Sequence, residues 1–174
     1  MLKTGARVKR GKRGGTIRLS SMQWEHPTII KIYEALGAIA DGRVEMLGNS
    51  AKVFSSSGNK FYGVQYDPST RSIMANDNAS FFRAYLGYPA IAFLMLKGEL
   101  SYSPEVAAML KGILWKDLNQ QFKNDFGKTL VHIMESKSAQ VGEEIQREVA
   151  RIDQELRTKV YYHLGKKSQP PVGY

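Results

Sequence analysis

The chain has no cysteine. That excludes disulfides, thiol nucleophiles and every zinc site built on Cys ligands, and it suits an intracellular protein. Long apolar runs are missing too, so no segment is expected to span a membrane as a helix. The N-terminus lacks the apolar stretch of a secretory signal, and its glycines spoil the amphipathic helix of a mitochondrial presequence. Histidine is scarce. His26, His132 and His163 lie far apart, and none stands at metal-ligand spacing to an acid. A glycine-rich dinucleotide fingerprint and a nucleophile elbow are both absent. Phe126-Gly127-Lys128-Thr129 carries the GKT of a P-loop, but Phe122 stands where that loop needs glycine. Asp77 is the sole acid between Asp67 and Glu99, and a lone Asp between two asparagines suits a helix cap better than a catalytic base. The chain is therefore not expected to be an enzyme or to need a cofactor or metal.

Acids are also missing from the start of the chain, where none precedes Glu25. Instead Lys3, Arg7, Lys9, Arg10, Lys12, Arg13 and Arg18 are interleaved with Gly5, Gly11, Gly14 and Gly15. This arm supplies +7 of the net +9, so the remainder carries +2. Residues 1–25 have too little apolar content to bury a face and should stay disordered until a polyanion orders them. Nucleic acid is the natural polyanion, because each neutralised phosphate releases a counterion. A membrane surface fits less well, since no apolar face is interleaved with the charges.

After the arm, residues 26–127 read as one α+β domain. His26-Pro27 opens a helix whose stripe runs Ile29, Ile30, Ile32, Tyr33, Leu36, Ile39 and Ala40. Asp41-Gly42 ends it. Four strand-like segments follow at 44–47, 51–55, 60–66 and 71–75, joined by turn residues, which predicts a small four-stranded antiparallel meander. Tyr62, Val64 and Tyr66 share one face of the third strand. One sheet face should pack helices and the other should be left to water or a ligand. Further helices are expected at 80–87, 89–97, 104–111 and 115–122.

From Lys128 to Leu164 only Gly142 interrupts helical sequence, which predicts one helix of about 55 Å. Val141, Ile145, Val149, Ile152, Leu156 and Val160 fall on one stripe, repeating at eleven residues, a spacing that favours a straight or slightly right-handed seam. Glu143 with Arg147, Asp153 with Arg157 and Glu155 with Lys159 are expected i,i+4 pairs. The stripe needs a partner surface. Self-association into a homodimer is the first expectation, and folding back onto the domain is the alternative. Residues 165–174 form a tail.

Aromatic residues crowd the sheet and the helix after it: Phe54, Phe61, Tyr62, Tyr66, Phe81, Phe82, Tyr85 and Tyr88. Lys52, Lys60, Arg71 and Arg83 lie among them. Bases stack on exposed rings while Lys and Arg track the backbone, a readout that favours unpaired strands. About half of these rings should serve the core. Phe61, Tyr62, Phe81, Phe82 and Tyr85, beside polar neighbours, are expected to be exposed.

In order of parts the chain resembles the ThermoDBP family of archaeal single-stranded DNA-binding proteins. The stretches are EHPTIIKIYEALGAIADGRVE, SSSGNKFYGVQYD, NDNASFFRAYLGYPAIAFLMLKG and the helix VGEEIQREVARIDQELRTKV. The resemblance covers residues 26–164 and implies a compact α+β domain with an aromatic and basic cleft, followed by a dimerising helix. The chain is also similar, more faintly, to SWIM modules: Tyr62-Gly63-Val64 precedes Asn76-Asp77-Asn78, then Tyr88-Pro89-Ala90 and an apolar helix. The SWIM zinc ligands would fall on Asn76, Asn78, Tyr88 and Ala90, none of which suits zinc. The expected function is non-enzymatic binding of single-stranded DNA or RNA by a cytoplasmic protein. The alternatives are an accessory or structural protein of the ribosome or another large RNA assembly, in contact with ribosomal RNA, or a protein-interaction module.

Overall fold

The computed structural model describes residues 22–172. Helix α1 (Ile30–Ala40) precedes a sheet formed by β1 (Val44–Leu47), β2 (Ser50–Phe54), β3 (Phe61–Asp67) and β4 (Ser72–Ala75). Short α2 (Asn78–Phe82) and apolar α3 (Tyr88–Leu96) follow, then α4 (Pro104–Ala108), α5 (Trp115–Gln121), α6 (Phe126–Glu135), α7 (Ala139–Thr158) and β5 (Tyr162–His163). The fold is mixed α+β, as the sequence implies. The sheet, however, has five strands in the order β1-β2-β3-β4-β5, and β5 pairs parallel to β4. A two-residue strand has no periodicity of its own, so nothing in the sequence marks it.

The meander follows the expected alternation. Val44 pairs with Val53 and Val53 with Tyr62, while Ala51 pairs with Val64 and Val64 with Ala75. These residues present one face to α3, on which α1 packs in turn, and Ile32, Leu36, Ile91 and Phe93 are fully buried in those layers. Helix α3 is apolar all round and buried from Pro89 to Met95, as a helix enclosed on every side must be.

The C-terminal half departs from the single long helix. Ser136 caps the end of α6, and Ser138 opens α7 by accepting from the Val141 N–H. Ser, Asn and Asp offer the backbone local hydrogen bonds that compete with helix, and two serines around Lys137 suffice to break it. Helix α7 is 20 residues long, so about 30 Å. Its stripe does not await a second copy: Ile145, Val149 and Ile152 are completely buried in the chain's own core, and Leu156 nearly so. Val141 is partly buried, and Val160 lies beyond the helix, 36% exposed. The helix has folded back onto the domain, so the expected dimerisation stripe is a packing stripe. Arg157 reaches Asp153 at 3.0 Å and Lys159 reaches Glu155 at 2.8 Å; among the described residues Glu143 and Arg147 form no such pair.

Residues 22–25 also belong to the domain instead of the arm. Trp24 is buried, stacks on His163 with centroids 3.7 Å apart, and donates from Nε1 to the Ile73 carbonyl. The Glu25 N–H donates to the Ala84 carbonyl. His26 is no mere helix-start residue: its Nε2 lies 2.6 Å from Asp153 of α7, and α1 begins at Ile30.

Candidate functional site

The residues singled out in the sequence separate into several places. Lys3, Arg7, Lys9, Arg10, Lys12, Arg13 and Arg18 lie outside the described residues. Phe61 is 47% exposed on the outer sheet face, beside Phe54 at 5.8 Å and under the Lys52 ammonium at 5.5 Å. That face is not open water. Asn76 donates from Nδ2 to the Gln169 carbonyl, and Pro171 borders the Phe54–Phe61 pair, so the C-terminal tail crosses it. Arg71 covers the Tyr161 ring at 5.2 Å. Tyr62, expected to be exposed, is buried, because it shares the helix-facing side of β3 with Val64 and Tyr66. Phe81 and Tyr85 are not freely exposed.

One set of expected residues does converge. Phe82 is 68% exposed, and the Phe81 ring meets it edge-on at 4.8 Å. With Arg83 and Tyr85 it lines a groove of about 760 Å3 that Phe126 and Lys31 close from the other side. Lys31 holds its ammonium 5.1 Å from the Phe126 centroid, within cation–π range. Sequence reasoning missed Phe126 here, because in the sequence it marks only a failed P-loop.

The groove continues inward. Lys31, Asn78, Ala79, Asn119 and Asn124 border both it and a second, polar cleft of about 330 Å3. In that cleft stand two buried acids. Glu34 lies on an otherwise apolar helix face and is 3% exposed. A buried carboxylate needs partners, and it has two: the Lys31 ammonium at 2.7 Å and Asn119 Nδ2 at 2.8 Å. An acid inside IKIYEALGAIA was a legible signal, since Lys and Glu are almost never fully buried unpaired.

Asp77 acts as the helix cap the sequence implied. Its carboxylate accepts from the Ala79 and Ser80 N–H groups and from the Ser80 hydroxyl at 2.6 Å. Burial pushes its pKa up, against the Ser80 hydrogen bonds and the Lys31 charge. Gly87 packs on it so closely that a Cβ there would stand 1.9 Å from Oδ2. With its oxygens thus engaged, Asp77 is not a free base. Tyr62 and Tyr88 wall the cleft edge-to-face at 6.0 Å. Burial, with the Asp77 and Glu34 charges behind it, raises the Tyr62 phenol to about 12.

Residues 24–162 match the family described as uncharacterised conserved protein UCP014422. The chain belongs to that family. No curated protein matches it, and no solved structure does. The family match begins at Trp24 and ends at Tyr162, both of which lie beside β4, and it leaves out the basic arm. No helix among the described residues is long and apolar enough to cross a membrane.

Proposed function

We propose that this protein binds single-stranded nucleic acid without catalysis, the strand running along the groove of Phe82, Tyr85 and Phe126 while the basic arm binds phosphates. The supporting observation is Phe82. A phenylalanine two-thirds exposed, pinned edge-on by Phe81 and set among Arg83 and Lys31, has the chemistry of a base-stacking platform. Stacking needs an unpaired base, so the groove favours single strands over duplex. A cytoplasmic location fits the reading.

The test is fluorescence anisotropy with single-stranded DNA, single-stranded RNA and duplex at two salt concentrations. Phe82→Ala should weaken single-strand binding by about 1–3 kcal/mol and leave duplex binding nearly unchanged. Equal losses on both would remove stacking from the account. Melting temperature should hardly move, because an exposed ring contributes little to packing.

The segregation of charge, +7 in the first eighteen residues against +2 in the rest, supports a second reading: an accessory protein of a large RNA assembly, its arm threaded along ribosomal RNA. Co-sedimentation with ribosomes that survives high salt would favour this reading over free-strand binding.

A further inference from the structure

Residues bordering the inner cleft carry buried polar atoms that the fold leaves unpaired. Asn119 is 9% exposed. Its amide orientation is fixed, because the Glu34 carboxylate can only accept and must therefore face Nδ2. Asn119 Oδ1 is then buried with no hydrogen-bond partner. Arg43 spends Nε on Asp41 at 3.1 Å and Nη1 on the Phe54 carbonyl at 2.8 Å, while its Nη2 is buried without an acceptor. Native folds rarely leave such atoms unmet, and each costs the desolvation of the group. Asn119 Oδ1 accepts and Arg43 Nη2 donates; a third such atom on the cleft's border, the donor Trp115 Nε1, lies against Gly37 instead. Lys60 and Lys116 also border the cleft and form no ion pair among the described residues.

A complementary ligand carries an anion at one end and N–H donors at the other. It is also flat, since the Tyr62 ring walls the cleft, and five bordering residues are shared with the aromatic groove. At about 330 Å3 the space is at the small end of ligand sites and holds one such unit. We infer that the cleft binds a single nucleotide, with its phosphate among Arg43, Lys60 and Lys116 and its base edge on Asn119 and Glu34. For its ligand class this rests on the proposed function. Two adjacent acceptors, Glu34 and Asn119 Oδ1, suit guanine, which offers two neighbouring N–H donors on one edge; uracil offers one. The nucleotide is either one unit of a bound strand, turned inward from the groove, or a free mononucleotide.

Isothermal titration of the full chain with GMP, AMP, CMP and UMP, and with short single-stranded oligonucleotides, tests this. GMP should bind, about tenfold or more tighter than UMP. Lys60→Gln and Lys116→Gln should each weaken GMP by about ten- to a hundredfold with an unchanged melting curve, since both residues are at the cleft's border. If GMP competes with oligonucleotides, the site serves a strand. If GMP binds and strands do not, the ligand is a free nucleotide, and the proposed function fails while this site stands. Strand binding without any mononucleotide binding, or equal binding of all four nucleotides, or a GMP affinity indifferent to both lysine variants, overturns the inference.

Discussion

Single side chains decide how much of this molecule is free to act. Asp77 and Phe82 sit five residues apart and have opposite fates. The first is sunk in hydrogen bonds to Ala79 and Ser80; the second is left facing solvent. The Asp77 knot depends on Gly87, whose backbone lies against the carboxylate and donates to the Ser80 hydroxyl at 3.2 Å. Gly87→Ala should therefore lower stability by about 1–3 kcal/mol through overpacking, measured by denaturant titration. An unchanged midpoint would mean that the carboxylate can move aside. The same knot explains why an acid in a polar loop becomes a structural residue: two backbone N–H groups and a hydroxyl converge on it and occupy its oxygens.

At the scale of elements, α7 shows how a stripe can be read correctly and assigned to the wrong partner. Its apolar residues were legible at helical spacing, but spacing cannot say which surface covers them. What fixes the helix to this domain is polar as well as apolar. Glu148 accepts from the Ser103 N–H at 2.8 Å and pairs with Arg151, which also donates to the Ser101 carbonyl. The Arg151 hydrogen bond holds the Glu148 pKa below its ordinary value of 4.5, with burial opposing it. A lowered carboxylate pKa adds stability that is complete above the unfolded-state value and lost as pH falls through the folded-state one. Thermal melts from about pH 6 to about pH 3, a window that spans the ordinary carboxylate range, should show an acid loss that is shallower in Glu148→Gln. Parallel curves for the two proteins would put the acid sensitivity elsewhere.

For the molecule as a whole, the chain closes on itself. Residues 22–25 and β5 meet over β4, through Trp24, His163 and Ile73, so the C-terminal part of the sequence completes the core begun by the N-terminal part. Deleting residues 139–174 should abolish cooperative unfolding instead of releasing a folded monomer, because Ile145, Val149 and Ile152 leave a core they help fill. Circular dichroism melts decide this; a sharp transition in the shortened chain would show α7 to be dispensable. The arm belongs to the same scale, since it carries most of the net charge. Deleting residues 1–18 should weaken binding to all oligonucleotides. On single strands it should also flatten the log–log salt dependence by about 0.7 for each phosphate the arm no longer neutralises. An unchanged slope would mean that the arm does not touch phosphate.

Much of the fold was written locally. Alternation in β1 to β4, the Asp77 cap and the helical stripes depend on neighbours a few residues away, and such neighbours are visible in a string of letters. So was the concentration of positive charge, which depends on nothing but composition. The candidate site was not legible in the same way. Glu34, Arg43, Lys116, Asn119 and Phe126 come from four separate stretches of the chain, and only the packing of α1, the turn before β1, α5 and α6 assembles them into one cleft and one groove. Tyr62 went inward for the same reason, since a strand's two faces are equivalent until helices choose one. Apart from β5 and the break between α6 and α7, the sequence by itself determined which segments would be helix or strand, and it determined where the charge would lie, because those follow from short-range sterics and side-chain chemistry. The tertiary structure alone decided which rings stayed exposed, which polar atoms were left unpaired and what covered α7, because burial is a property of the whole chain folded against itself.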